Sequence, residues 1–328
     1  MVSAKAQQLR HAVSGCIDAG PVVVGCSGGP DSLALVAAAS WAVPQLGGTL
    51  SVVVVDHGLQ SDSADVAERA AGACRAIGVQ DVEIRRVQVG TDGGPEAAAR
   101  TARRAALLES AALRGSEQIL LAHTRDDQAE TVLLRLARGS GARSLAAMRS
   151  CEAPWHRPFL DTPRDVVHQV AHETFVGLGH QPWDDPHNHD SRYARVRVRR
   201  TLETLEIDLG PGLSANLARS ARLLADDADA LDAWAQGEFE RIAQVQVNAC
   251  ATDVTALAEL PRAVRTRVLR LMHRQLVGLD EDLTFDHIQQ VEALVSRWKG
   301  QGPAHLPGEI TAQVEYGRLS LFVQPREL

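Results

Sequence analysis

Lysine is almost missing from this chain. It occurs only at Lys5 and Lys299 among 328 residues, so nearly all of the 34 basic side chains are arginine. A bound anion would therefore meet mostly planar guanidinium forks, a geometry that suits phosphate. Cysteine is also scarce. Cys16, Cys26, Cys74, Cys151 and Cys250 are scattered and form no CxxC, which argues against a disulfide framework, a zinc ribbon and a dithiol redox centre. No apolar run reaches about 18 residues, so neither a membrane span nor a membrane partner is expected. The opening residues, MVSAKAQQLRHAVSGC, lack a basic-then-apolar signal pattern, and the expected location is the cytoplasm.

What is present is an ordinary globular composition, 45% hydrophobic and 23% charged, in a chain long enough for two domains. The net charge of −7 argues mildly against nucleic acid as a partner, although local patches outweigh the sum. Strand-like and helix-like stretches alternate through the first 180 residues. Residues 22–25, 50–55, 82–89 and 118–122 read as strands; residues 30–40, 64–77, 95–113 and 126–137 read as helices. Continuous apolar strands separated by helices predict an α/β fold with a doubly wound, mostly parallel sheet. Ligands of such sheets bind beyond the carboxyl ends of the strands. Residues 27–32, Asp56, His57 and His123 fall there. Thr162 and Pro163 predict another helix start, with threonine as cap. Residues 179–200 are irregular and then basic, and LGPGLS at 209–214 has the composition of a linker. Helical text follows at 216–234, 239–245, 261–277 and 285–296, then short strands at 309–314 and 319–323. The chain is expected to divide near residue 212, into a domain of residues 1–212 and a smaller, mainly helical domain of residues 213–328.

The most informative stretch is VVVGCSGGPDSLALV, residues 22–36. A buried strand enters a glycine-rich turn, and an apolar helix follows at once. Gly28 and Gly29 lack Cβ atoms, so main-chain N–H groups can approach a phosphate. Pro30 suits the first helical turn, where its missing N–H is not needed. The helix N-terminus favours an anion, and Ser27 and Ser32 offer hydroxyls. A Walker A loop needs GxxxxGK followed by Ser or Thr, and a Rossmann fingerprint needs GxGxxG; neither is present. An ordinary strand–helix turn is the plain alternative.

SGGPDS resembles the SGGxDS loop of the PP-loop ATP pyrophosphatases, enzymes of adenine nucleotide alpha hydrolase-like fold that cut ATP between the α and β phosphates. DHGL at 56–59, EAAARTAR at 96–103, AHTRDDQAET at 122–131, RGSGARSLAAM at 138–148, RPFL at 157–160, DDPHN at 184–188 and RVRVR at 195–199 extend the likeness. Together they are similar to the tRNA(Ile)-lysidine synthetase branch of that family. Gln60, Ala122, Thr124, Ser144 and Ala146 depart from the residues usual there. The resemblance implies an ATP- and Mg²⁺-using ligase. Its substrates would be L-lysine and a tRNA(Ile) with anticodon CAU, and its products AMP, pyrophosphate and a lysine-bearing cytidine. It implies that Ser27, Gly28, Gly29, Pro30, Asp31, Ser32, Asp56 and His57 bind ATP. It places His123, Asp127, Glu130 and Asp31 in catalysis, Asp31 and Asp127 on Mg²⁺, and Arg100, Arg195 and Arg199 on tRNA or substrate. A tRNA thiolase is the nearest rival, but thiolation usually needs a cysteine pair or cluster. A nucleotide-binding sensor without catalysis is the rival of a different class.

In the helix that opens near Arg125, Asp127, Glu130 and Thr131 are spaced to share an outward polar face. Val132, Leu133 and Leu136 are spaced to share a buried one. Thr124 and Asp127 also make a capping box, so Asp127 has a structural role open to it. His123 is a candidate for polarising phosphate, Asp127 for holding Mg²⁺ or the lysine ammonium, and Glu130 for the cytosine amino group. Alternation of Arg195, Arg197 and Arg199 predicts one face of a strand, turned to tRNA phosphate. Arg262, Arg265, Arg267, Arg270 and Arg274 give the second domain a basic face. His168 and His172, four residues apart, lack a third metal ligand at typical spacing and are expected on a helix surface.

Overall fold

The computed structural model describes residues 2–58, 60, 62–90, 94–278 and 283–324, without the side chains of Pro95 and Glu96. Leu59 of DHGL therefore lies outside the described residues. The chain forms two compact units that divide between Leu224 and Ala225.

The first unit opens with α1 (Ala4–Ser14), capped by the Ser3 hydroxyl, which accepts from Ala6 N at 3.3 Å. Strand and helix then alternate: β1 (Pro21–Cys26), α2 (Pro30–Gln45), β2 (Thr49–Asp56), α3 (Ser63–Ala76), β3 (Asp81–Arg86), α4 (Pro95–Leu113), β4 (Gln118–Leu120) and α5 (Arg125–Leu136). Next come α6 (Ala142–Leu145), the short hairpin strands β5 (Cys151–Glu152) and β6 (Trp155–His156), α7 (Arg164–Phe175) and α8 (Ala194–Leu209). The division between the units falls inside α9 (Leu213–Ile242).

The sheet order is β3-β2-β1-β4-β6-β5, parallel throughout except for the β5–β6 hairpin. Val24 sits opposite both Val52 and Leu120. The two-residue period of a strand sorts the valines. Val22, Val24, Val52 and Val54 pack into a core with Leu33, Leu35, Phe159 and Phe175. Val23 and Val53 pack on the opposite face with Leu107, Ala111, Ile119 and Trp155. Both faces are covered, which is why the strands are apolar without alternation. Strand order reverses between β1 and β4, the position at which such sheets open a ligand crevice.

The second unit continues through β7 (Gln244–Gln246), β8 (Ala249–Asp253), α10 (Val254–Ala258), α11 (Arg262–Val277), α12 (Phe285–Ser296), β9 (Ala304–Leu306), β10 (Ile310–Glu315) and β11 (Arg318–Val323). Its helices accompany an antiparallel sheet of order β7-β8-β11-β10-β9. The β10–β11 hairpin turns through Tyr316 and Gly317, at φ +50° and +76°, with Glu315 opposite Arg318. Two left-handed residues are what a two-residue hairpin loop requires. Val264, Val268, Met272, Val291 and Leu294 pack with Ile310, Ala312, Leu319 and Leu321 to form the core.

Two sequence expectations are corrected. Residues 213–242 form one helix where two were expected. RVRVR lies within α8, so Arg195 and Arg199 stand one helical turn apart and do not line a strand with Arg197. Five alternating residues are too few to fix a period of two, and the helical text TLETLEIDL behind them decides the conformation.

Candidate functional site

β1 ends at Cys26 and α2 starts at Pro30, so the chain must turn within Ser27, Gly28 and Gly29. Gly28 has φ +81°, and a Cβ there would stand 2.9 Å from Ala70 Cβ on α3. Only glycine fits that position. A Cβ on Gly29 would meet its neighbours at an ordinary 3.6 Å, so the fold alone does not demand glycine there. Ser32 is buried and ties the loop. Its Oγ accepts from Ser27 N at 3.1 Å and donates to Gly29 O at 3.0 Å, with Ser27 Oγ 3.2 Å away. Trp183 N donates to Gly28 O at 2.9 Å, so the irregular stretch before α8 clamps the loop. The first N–H groups of α2 have no side-chain cap and, as at any helix start, no helical acceptor.

Asp31 lies in the first turn of α2. Its Oδ1 is 3.1 Å from His168 Nε2 on α7, and both atoms are buried without a hydrogen-bond partner. His168 is half-exposed on α7, as expected of a helix-surface group, but its Nε2 is buried against Asp31. Asp56 is buried at the end of β2, where Oδ1 accepts from Gly58 N at 2.9 Å. His57 accepts from Arg103 Nε at 3.3 Å through Nε2, leaving its buried Nδ1 without a partner. Burial and Arg103 lower the His57 pKa to about 4, against the pull of Asp56. The ring is neutral, with its proton on Nδ1.

His123 follows β4. Burial, with Arg157, Arg100 and Arg195 nearby, lowers its pKa to about 3 against the pull of Asp127. It is therefore a neutral imidazole rather than a cation. Arg100 is lowered to about 10 by burial and by Arg195, Arg104, Arg157 and Arg103. Arg103 is lowered by burial and Arg195, with Asp185 opposing. Arg157 is buried just after β6, where Nη1 donates to Arg149 O at 2.8 Å and Nε has no partner. Arg104 stacks on Trp155, its Cζ 4.1 Å from the ring centroid. Cations that depress one another at the carboxyl edge of a sheet form a field suited to an anion.

The polar residues of α5 behave differently. Asp126 Oδ2 accepts from Arg164 N at 2.8 Å and so caps α7, in place of the expected Thr162. Asp127 closes the expected capping box, accepting at Oδ2 from Thr124 N at 2.7 Å and Thr124 Oγ1 at 2.9 Å. Its Oδ1 takes Arg164 Nη2 at 2.7 Å. Burial opposes ionisation, but Arg164 and the hydrogen bonds from Thr124 hold its pKa below the usual carboxylate range. Gln128 bonds Met148 twice, and Thr131 Oγ1 donates to Asp127 O.

Glu130, expected on an outward face, is buried; its Oε1 accepts from Arg164 Nη1 at 3.0 Å and Arg199 Nε at 2.9 Å. Leu136, expected inside, is 53% exposed. The reason is that α8 packs on the polar side of α5. Arg164 was missed; a lone arginine after a proline carries no signal of its own.

In the second unit the arginines of α11 are largely engaged. Arg265 pairs with buried Glu292 at 2.7 Å, Arg267 with Asp232 at 2.8 Å, and Arg262 with Gln289 at 2.6 Å.

Comparison with known proteins gives this geometry a family. A family model described as a PP-loop domain matches residues 1–206, and one described as the TilS substrate binding domain matches residues 253–320. A curated relative from Thermobifida fusca, named tRNA(Ile)-lysidine synthase, is 51% identical over 288 residues, covering 88% of this chain and 87% of its own. The chain belongs to the tRNA(Ile)-lysidine synthase family. A member from Salinispora tropica is 46% identical over 325 residues, covering 97% of this chain and 96% of its own. One from Mycobacterium tuberculosis is 46% identical over 280 residues, covering 85% and 82%. Among solved structures, a U34-tRNA thiolase from Methanococcus maripaludis with its 4Fe-4S cluster aligns with a TM-score of 0.56 at 21% identity, over 67% of this chain and 78% of that one. That likeness concerns the fold alone. The family places the expected α/β PP-loop architecture beyond analogy, because the motif-bearing loops sit on the edge that the sheet order predicts. Among the described residues no helix is long and apolar enough to cross a membrane.

Proposed function

We propose that the protein joins the ε-amine of L-lysine to C2 of the wobble cytidine of a tRNA(Ile) with anticodon CAU, in the cytoplasm and at the expense of ATP. In this reading residues 1–212 carry the chemistry and residues 213–328 hold the tRNA. First, cytidine O2 bonds to the α phosphorus, the bond from that phosphorus to the bridging oxygen breaks, and pyrophosphate leaves with the electron pair. Then the lysine nitrogen bonds to C2, the C2–O2 bond breaks, AMP leaves with that oxygen, and the amine gives up a proton.

The observation that carries the reading is the meeting, on one sheet edge, of a lysine-free glycine turn with mutually depressed arginines. Main-chain N–H groups at Gly28, Gly29 and the mouth of α2 would hold the outer phosphates. Arg100, Arg157 and Arg195 would meet charge developing at the α phosphate. Neutral His123 would donate a hydrogen bond, and phosphate beside it would favour its protonation. Asp127 and Glu130 would act mainly by fixing Arg164 and Arg199.

The Mg²⁺ that accompanies ATP fits the Asp31 carboxylate, whose buried Oδ1 makes no hydrogen bond; with His168 Nε2 beside Oδ1, Oδ2 would take the ion. Asp127 fits less well, with Arg164 on Oδ1 and Thr124 on Oδ2. Bound there, the ion would neutralise phosphate charge.

The test is incubation with ATP, Mg²⁺, lysine and the isoleucine tRNA, followed by mass analysis of the anticodon nucleosides. A cytidine heavier by one dehydrated lysine, with AMP formed in step, is the expected result. Formation of ADP, or a sulfur-for-oxygen exchange, would overturn it.

A further inference from the structure

We propose that His168 is a positioning residue for Asp31 at the pyrophosphate end of the site. The proposal rests on the reading above, in which Asp31 serves the phosphates. α7 is locked in place by Val167, Val170, Ala171 and Phe175, which share the core with Leu33, Leu35 and Val36 of α2. That packing delivers His168 to the first turn of α2, where Nε2 stands 3.1 Å from Asp31 Oδ1. Both atoms are buried, and neither makes a hydrogen bond: the 3.1 Å approach is close enough for an ion pair, but its angle falls short of hydrogen bonding. Buried polar atoms are nearly always paired, so two of them left facing each other at a phosphate loop call for a functional account. A carboxylate at a helix mouth repels incoming phosphate unless a donor or a cation shares its charge. A small turn of the imidazole would aim its Nε2–H at Oδ1 and leave Oδ2 for the cation that travels with ATP. A side chain otherwise free to rotate is thereby held toward the nucleotide.

The experiment measures the Kd of Mg·ATP by equilibrium titration for the wild type, H168A, H168Q, D31N and the H168A/D31N double variant. KM values for ATP and lysine and the thermal midpoint are taken alongside. Glutamine keeps a donor near the position of Nε2. Removing a hydrogen bond to a charged group weakens binding on the order of tenfold. H168A is therefore expected to raise the Kd and the ATP KM by roughly tenfold. The lysine KM and the thermal midpoint should not move, H168Q should recover most of the loss, and the double variant should bind no worse than D31N. If D31N weakens Mg·ATP binding while H168A binds like the wild type, the positioning role is overturned and the reading of Asp31 stands. If H168A weakens binding but H168Q does not recover it, the histidine acts by packing and the proposal falls. If D31N itself binds Mg·ATP normally, the reading of Asp31 falls and takes the proposal with it.

Discussion

Two neighbouring parts of the same sheet edge treat their polar groups in opposite ways. On α5, Asp126, Asp127, Gln128, Glu130 and Thr131 each bond to a neighbouring element, to their own cap or to their own helix. Around the glycine turn, Asp31 Oδ1, His57 Nδ1, His123 Nδ1, Arg157 Nε and His168 Nε2 are buried without hydrogen-bond partners. The acidic, amide and hydroxyl side chains of the first region are all engaged and work as scaffold, although Arg125 Nε at its start is also buried unpaired. The second is a set of unpaired donors and acceptors gathered in a cationic field. Burying polar groups unpaired is costly, and a cluster of them within a cationic field offers a ligand partners to complete. A motif rich in carboxylates therefore need not be where substrate sits.

The largest effect should come from breaking the scaffold. Glu130→Ala takes the Glu130 carboxylate from both Arg164 and Arg199 and leaves Arg164 with Asp127 alone. Loss of one partner from a buried ion pair costs about 3–5 kcal/mol, to be read from urea unfolding. A loss below about 1 kcal/mol would mean that Glu130 is solvated like a surface acid. The next effect separates the two glycines. Gly28→Ala imposes a left-handed alanine, which costs roughly 1–2 kcal/mol, and adds the contact with Ala70 at 2.9 Å. Gly29→Ala meets no such contact and should leave stability unchanged. Both should slow tRNA-dependent AMP formation by about 10²-fold, the cost of misplacing a reacting group by about an ångström. Full activity in Gly29→Ala would remove the turn from the chemistry.

The unpaired groups should also show themselves in pH and ligand dependence. His57 and His123 have folded pKa values of about 4 and about 3, below the unfolded value of about 6.5. The unfolded chain thus takes up these protons first. Their contribution to stability is complete above about pH 6.5 and is lost as pH falls toward 4 and then 3, by at most about 1.4 kcal/mol per pH unit for each histidine. The H57Q/H123Q double variant should flatten that slope. Pyrophosphate at about 100 times its Kd should add about 2.7 kcal/mol to wild-type stability. No stabilisation by pyrophosphate would mean that the unpaired cluster is not an anion site.

The contrast also explains what the sequence could and could not reveal. The glycine turn was legible because strand, turn and helix mouth are contiguous, so Ser27, Gly28, Gly29 and Pro30 carry their meaning locally. The cationic field was not. Arg100, Arg157 and Arg195 come from α4, the end of β6 and α8, and only the sheet order brings them around His123. The helical period correctly grouped Asp127, Glu130 and Thr131, but a period cannot say whether α8 will cover the face it defines. Strands β7 to β9 span three to five residues each, too short for alternation to register against the helices around them.

The smallest expected effect decides whether Asp127 is only a cap. Thr124→Ala removes the hydroxyl that both accepts from Asp127 N and donates to Asp127 Oδ2, but it leaves the bonds of Asp127 to Thr124 N and Arg164. Loss of such a cap costs about 1 kcal/mol, and Thr124→Ser should cost less because it keeps the hydroxyl. Asp127→Ala removes the cap and the partner of Arg164 together, so it should cost more in stability and should also slow AMP formation. If capping is the whole role of Asp127, the two alanine variants will lose activity in proportion to stability and fall on one line. If Asp127 works through Arg164, Thr124→Ala will keep its activity within about threefold, a shift of less than 1 kcal/mol in the barrier, while Asp127→Ala falls well below that line.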